Sequence, residues 1–161
     1  MTESYAAAPP PAAPPDAVPS PAVQLWSPLI VGAVAGLLGF PGGLILAAAD
    51  WERMGLRRRA VLHLICGAAL ALPLLLPIAA LPELGGNAVG LGFNIAVALY
   101  LGARLGADIG RFKASGRRVE NGSRLLAFLI GLGALAAWLL LNMAVGAALS
   151  VPRVLRHLSE V

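Results

Sequence analysis

Charge is what this sequence has least of. Only 12% of its 161 residues are Asp, Glu, Lys or Arg, against about 25% in a soluble domain. So small a supply cannot cover a water-facing surface of this size. It excludes an ordinary soluble globule and points to an integral membrane protein. Cysteine is nearly absent: Cys66 stands alone, so no intramolecular disulfide can form. Catalytic sets are missing too. There is no Ser/His/Asp grouping, no H-E-x-x-H, no P-loop and no zinc-ligand spacing, and Gly90-Leu91-Gly92 does not complete a dinucleotide fingerprint. No enzyme, cofactor or metal site is therefore expected. Neither Lys nor Arg precedes Arg53. The apolar runs carry no ionisable side chain at mid-depth, and such groups are what a proton relay or transport path normally needs.

What is present is apolar: 58% of residues are hydrophobic and the mean hydropathy is +0.80. Residues 1–27 form a Pro/Ala-rich stretch with Pro9, Pro10, Pro11, Pro14, Pro15, Pro19 and Pro21. Its composition reads as a disordered tail, locally polyproline II. The pattern then predicts an all-α fold: a four-helix integral membrane bundle over 28–149, with helices near 29–49, 61–81, 86–108 and 125–149. The first run, Leu29 to Ala49, is about 31 Å long as one helix, enough to cross a bilayer. Trp26 and Trp51 flank it as interfacial aromatics. The third run is the shortest, and Arg104 and Asp108 near its end are spaced to pair at i,i+4. Residues 150–161 make a short C-terminal tail, with Val151, Val154, Leu155 and Leu158 spaced for one face of an interfacial turn.

The basic residues set an orientation. Arg53, Arg57, Arg58 and Arg59 follow the first run, and Arg104, Arg111, Lys113, Arg117, Arg118 and Arg124 follow the third. The other side holds only Arg153 and Arg156. The positive-inside rule then places both basic loops in the cytoplasm and both termini outside, in the inner (plasma) membrane. The net charge of +4 reads as topology and as attraction for anionic lipid headgroups at Arg53, Arg57, Arg58, Arg59, Arg111, Lys113, Arg117 and Arg118. It does not read as a nucleic-acid surface.

Packing signals are richer than chemical ones. Gly32 and Gly36 lie four apart, and Ala98, Gly102, Gly106 and Gly110 repeat at every fourth position. Gly133 and Ala137 share that spacing. Small residues so spaced let helices approach closely in lipid. Asn94 and Asn142 fall within the bilayer and read as interhelical amides, pairing with each other or across an oligomer, with substrate contact as the other reading. His63 reads as an interfacial or structural histidine. Within Gly39-Phe40-Pro41-Gly42-Gly43, Pro41 deletes a hydrogen bond to Leu37 and Gly42-Gly43 loosens the next turn. This predicts a kink in a continuous span, or alternatively a binding cleft.

From Trp26 to Ala60, Gly39 to Gly43, then Asp50, then Met54-Gly55-Leu56-Arg57, the chain resembles a loose group of bacterial multi-pass membrane proteins with a Pro-rich N-terminal tail. That group more often has Asn at the Asp50 position and Gly directly before the proline. The resemblance implies no activity. The expected function is a non-enzymatic accessory, scaffold or structural subunit, acting as a homo-oligomer or within a larger membrane complex. The alternative is a small oligomeric transporter or channel with its site at the broken first helix.

Overall fold

A computed structural model describes the backbone of residues 21–80 and 83–159 and the side chains of 21–71 and 88–148. The described residues form, in order, β1 (Val23–Leu25), α1 (Pro28–Leu37), α2 (Phe40–Arg53), α3 (Arg57–Ala80), α4 (Glu83–Ala114), β2 (Val119–Asn121) and α5 (Arg124–Ser159). Two stretches among them are long and apolar enough to cross a membrane, Ala88–Ala114 in α4 and Arg124–Ala148 in α5.

The first apolar run is not one helix. It folds back on itself. α1 stops at Leu37, whose successor Leu38 still donates its N–H to the Val34 carbonyl at 2.9 Å. Gly39 then turns the chain at φ 101°, a backbone region that L side chains rarely adopt. Pro41 sits in the first turn of α2, where its missing N–H costs nothing. The two helices run antiparallel, so both ends of the run lie together: the Trp26 N–H donates to the Asp50 carboxylate at 3.0 Å. With 10 and 14 residues, α1 and α2 are about 15 and 21 Å long. Neither reaches across a hydrocarbon core of about 30 Å.

This corrects the sequence reading in three ways. A kinked span becomes a helical hairpin. Gly42 and Gly43 are not loosened turns but contact points inside α2. Trp26 and Trp51 flank the run in sequence yet share one end of the molecule. Gly43 lies against Ala35 so closely that a Cβ there would stand 2.9 Å from the Ala35 Cα, and one on Gly42 would stand 3.0 Å from the Gly131 Cα. The missing side chains are what let α2 sit between α1 and α5.

The ends of the hairpin are tied to the link before α5. β1 and β2 pair in parallel, Val23 with Val119 through Leu25 with Asn121. Each strand leads within two residues to a serine that caps a helix: Ser27 Oγ accepts from Ile30 N and Ser123 Oγ from Leu126 N, both at 3.3 Å. Gly122 leaves room for the Trp26 ring, which a Cβ would meet at 2.9 Å. Residues 23–27, expected within the disordered tail, are thus ordered. Residues 1–20 lie outside the described residues. The pairing sets β1 beside the third link, at the same end of the molecule as the basic residues that follow the third run.

The remaining elements are longer than expected. α4 runs from Glu83 to Ala114, 32 residues where 86–108 was expected, and α5 runs on through Ser159 where a separate tail was expected. The side chains of the interfacial face proposed for 151–158 lie outside the described residues.

α2 is the centre of the packing. Phe40, Leu44, Leu46, Ala47, Ala48, Asp50 and Trp51 are all buried on it. The outer faces of α3, α4 and α5 are the reverse, exposing Ile65, Leu70, Leu91, Leu99, Phe128, Leu129, Leu140 and Met143. Apolar outside and polar groups at one buried end is the arrangement a lipid environment favours.

Candidate functional site

Three features surround α2: a polar cluster at the base of the hairpin, a closed tip, and an apolar groove between them. At the base, Asp50 lies just beyond the apolar run. Its side chain is buried and takes the Trp26 N–H. Arg53 stands 3.6 Å from Asp50, donates to the Gln24 carbonyl at 3.2 Å and lies over the Trp26 ring at 4.4 Å. The Trp26 Nε1–H donates to the Ser123 carbonyl at 3.0 Å. Burial pushes the Asp50 carboxyl up to about 7, opposed by the Trp26 N–H and by Arg53. One aspartate thereby clamps the entry of α1 to the exit of α2.

A second carboxylate joins three helices. Asp108 on α4 accepts from Arg59 of α3 at 2.6 Å through both oxygens and from Trp51 Nε1 of α2 at 3.0 Å, while Arg111 stands at 3.6 Å. Arg59 thus takes the place that the i,i+4 spacing assigned to Arg104. The sequence could signal a buried acid here only through the apolar residues around it, because its partners are 49 and 57 positions away.

His63 sits next to this cluster, its ring 4.3 Å from that of Trp51. Its Nδ1 is 2.8 Å from the Arg59 carbonyl and its Nε2 is 3.0 Å from the Tyr100 hydroxyl. A carbonyl only accepts, so Nδ1 carries a proton and, in the neutral ring, Nε2 accepts from Tyr100. Both nitrogens are therefore engaged: Nδ1 bonds within α3, and Nε2 ties α3 to α4.

At the tip, the Asn94 Oδ1 accepts the Phe40 N–H at 3.1 Å. This is one of the donors that a helix start leaves unsatisfied, and a side chain of α4 meets it. Asn142 instead donates to the Trp138 carbonyl in its own helix at 2.7 Å. Of the two arrangements expected for these amides, pairing with each other within the chain does not occur. Phe40 closes the tip edge-on against Phe93 and Trp138, with ring centroids 5.1 and 5.5 Å away.

The small residues fall into two groups. On Gly32 a Cβ would stand 3.3 Å from the Ala98 carbonyl, and on Gly36 3.7 Å from the Ala98 Cβ. On Gly102 and Gly106 it would stand 3.6 and 3.5 Å from Pro28. These five positions form the α1–α4 contact. Gly110 and Gly133 have nothing within 4 Å. Gly131, which no spacing picked out, packs on Val34 and Leu38 instead.

Between α2, α3 and α4 lies a groove of about 400 Å³, with Phe40, Leu44 and Leu101 at its floor and His63 and Tyr100 at its polar end. A second hollow of about 370 Å³ lies across α2, between α3 and α5. Among the described residues, no three His, Cys, Asp or Glu side chains gather as a metal site would require. No protein-family description, curated protein or solved structure matches this chain.

Proposed function

We propose that the chain is a membrane-embedded, non-enzymatic scaffold or accessory subunit that acts through helix–helix assembly. The observation that carries this reading is the division of its side chains. Asp50, Asp108, Arg59, His63, Tyr100 and Asn94 are all spent on holding the helices to one another. The faces left to meet other molecules at membrane depth are apolar. On α5, Gly133 and Ala137 lie on such an exposed face, with the spacing that suits close approach of a second helix. The break at Gly39 supports packing over transport: the Phe40 N–H freed there is taken by Asn94, and Phe40 packs edge-on against Phe93 and Trp138, beside a small hollow of about 140 Å³.

In this reading α3, α4 and α5 span the bilayer and α1–α2 is a re-entrant hairpin. It enters from the side bearing Arg53, Arg57, Arg58, Arg59, Arg111, Lys113, Arg117 and Arg118, which is cytoplasmic by the positive-inside rule. Residues 23–25 then face the cytoplasm, and the end of α5 faces out. Backbone at membrane depth that does not cross is tolerated where protein buries it, as α3, α4 and α5 do for α2.

Topology and assembly are tested separately. With Cys66→Ala removing the native thiol, Gln24→Cys should react with a membrane-impermeant maleimide in inverted vesicles and not in intact cells. Reaction in intact cells overturns the re-entrant reading. In mild detergent the wild-type chain should run as an oligomer or with co-purifying membrane proteins, and Gly133→Leu should shift it towards monomer. A wild-type monomer with no companion overturns the scaffold reading.

A further inference from the structure

We propose that the groove between α2, α3 and α4 holds one acyl chain of an anionic phospholipid, with the lipid phosphate at Arg58 and Arg104. This rests on the membrane reading above and deepens it.

The groove is almost wholly apolar. At about 400 Å³ it falls in the range of about 300–1,000 Å³ typical of sites for small ligands. It is not sealed. Leu62, Leu70 and Tyr100 on its walls are about half exposed, so it opens sideways between α3 and α4. That direction is where lipid chains lie when α3 and α4 span. Its only polar end is the His63–Tyr100 pair, on the side of the basic cluster. A hydrocarbon chain entering from the bilayer would therefore end in a polar group near these two residues.

Charge selects the headgroup. Arg104 lies one helical turn from Tyr100 on α4, and Arg58 one turn from Leu62 on α3, so the two flank the same mouth. Both are exposed, and neither makes an ion pair within 4 Å among the described residues. The arginine between them, Arg59, is already committed to Asp108. Two guanidinium groups with no ion pair within 4 Å, Arg104 acting on Asp108 only at longer range, suit a phosphate that carries no cation of its own. A zwitterionic headgroup would bring a third positive charge to the same place.

The single cysteine gives a direct test, because Cys66 is exposed and lines this groove. The full-length protein is placed in nanodiscs of phosphatidylcholine, with or without phosphatidylglycerol, and the rate at which N-ethylmaleimide modifies Cys66 is measured. A seated chain covers the thiol, so the rate should fall at least fivefold when phosphatidylglycerol is present. Arg58→Gln with Arg104→Gln should restore it. Equal rates in the two lipids overturn the proposal. So does protection that survives in the double variant, which would reflect surface potential alone, or protection that follows protein density instead of lipid, which would mean a second copy covers the groove. If the double variant loses helicity, Arg104→Gln alone should recover at least half of the lost rate, and no recovery overturns the proposal. A chain that does not enter nanodiscs at all defeats the membrane reading. One that enters and reacts independently of lipid defeats only the lipid site.

Discussion

The first and last apolar runs look alike on paper and do opposite things. Leu29 to Ala49 and Leu125 to Leu149 are both long enough to cross a bilayer and both free of charge. The last remains one helix from Arg124 to Ser159, while the first turns at Gly39 and returns to where it began. The difference lies in few residues. Gly39 permits the turn, Gly42 and Gly43 let the returning helix lie close, and Asp50 binds the exit to the entry. Hydropathy and length thus report that a run tolerates lipid, not that it crosses.

The sharpest way to break this comparison is to remove the close approach. Gly43→Val places a side chain on the Ala35 backbone, where neither helix can yield. Overpacking costs about 1–3 kcal/mol and occasionally more, and this site should lie at or above about 3 kcal/mol because backbone, not a flexible side chain, is in the way. The matched change on α5, Gly133→Val, meets open space within the chain and should change the stability of the single chain by no more than about 0.5 kcal/mol, whatever it does to assembly. Unfolding titrations in mixed micelles measure both. Equal losses would mean that the hairpin is not the tightly packed element.

Next in size is the tie at the base. Asp108→Ala leaves Arg59 without its partner and orphans Trp51 Nε1. Breaking a fully buried pair costs about 3–5 kcal/mol. The Arg59 side chain is 30% exposed, so water recovers part of this and about 2–3 kcal/mol is expected. Asp108→Asn keeps an acceptor for Trp51 and should cost less. The same titration checks the order, and an Asp108→Ala variant as stable as wild type would show that the base does not hold α3.

The helical class, the apolar runs and the Gly39–Gly43 irregularity were legible in sequence because each is local. The fold-back was not. It depends on contacts between positions 26 and 50, 51 and 108, and 40 and 94, and no local period encodes these. One clue was available: a break near the middle of a 21-residue run leaves two pieces too short to span. Trp26 and Trp51 misled because interfacial tryptophans fit either a span or a hairpin. The Gly32–Gly36 and Ala98–Gly102–Gly106 spacings did mark residues that the fold brings together. Gly110 and Gly133 share the spacing but not the contact, and spacing alone does not separate the two cases.

The turn itself should cost less to perturb than the base. Gly39 holds φ 101° and ψ 149°, a conformation nearly confined to glycine that carries a penalty of order 1–3 kcal/mol for other residues. Gly39→Ala should therefore destabilise by about 1–2 kcal/mol and raise labelling of Gln24→Cys as the hairpin loosens. Unchanged stability would mean that the chain can straighten there, and the first run would then behave like the last.

The smallest effect separates the two asparagines. Asn94 satisfies a donor of another helix, at the start of α2, whereas Asn142 bonds only within its own helix. Asn94→Leu removes that acceptor and leaves the Phe40 N–H without a side-chain partner at the tip. Interhelical hydrogen bonds in membranes average about 0.6 kcal/mol and reach about 1.7, so a loss near 1 kcal/mol is expected. Asn142→Leu trades an intrahelical bond for apolar surface and should be neutral or slightly stabilising. Thermal unfolding of the pair in one detergent resolves a difference of this size. A larger loss at Asn142 would mean that its amide serves a contact between chains, and the amide of the last run, not that of the hairpin tip, would then be the one that assembles.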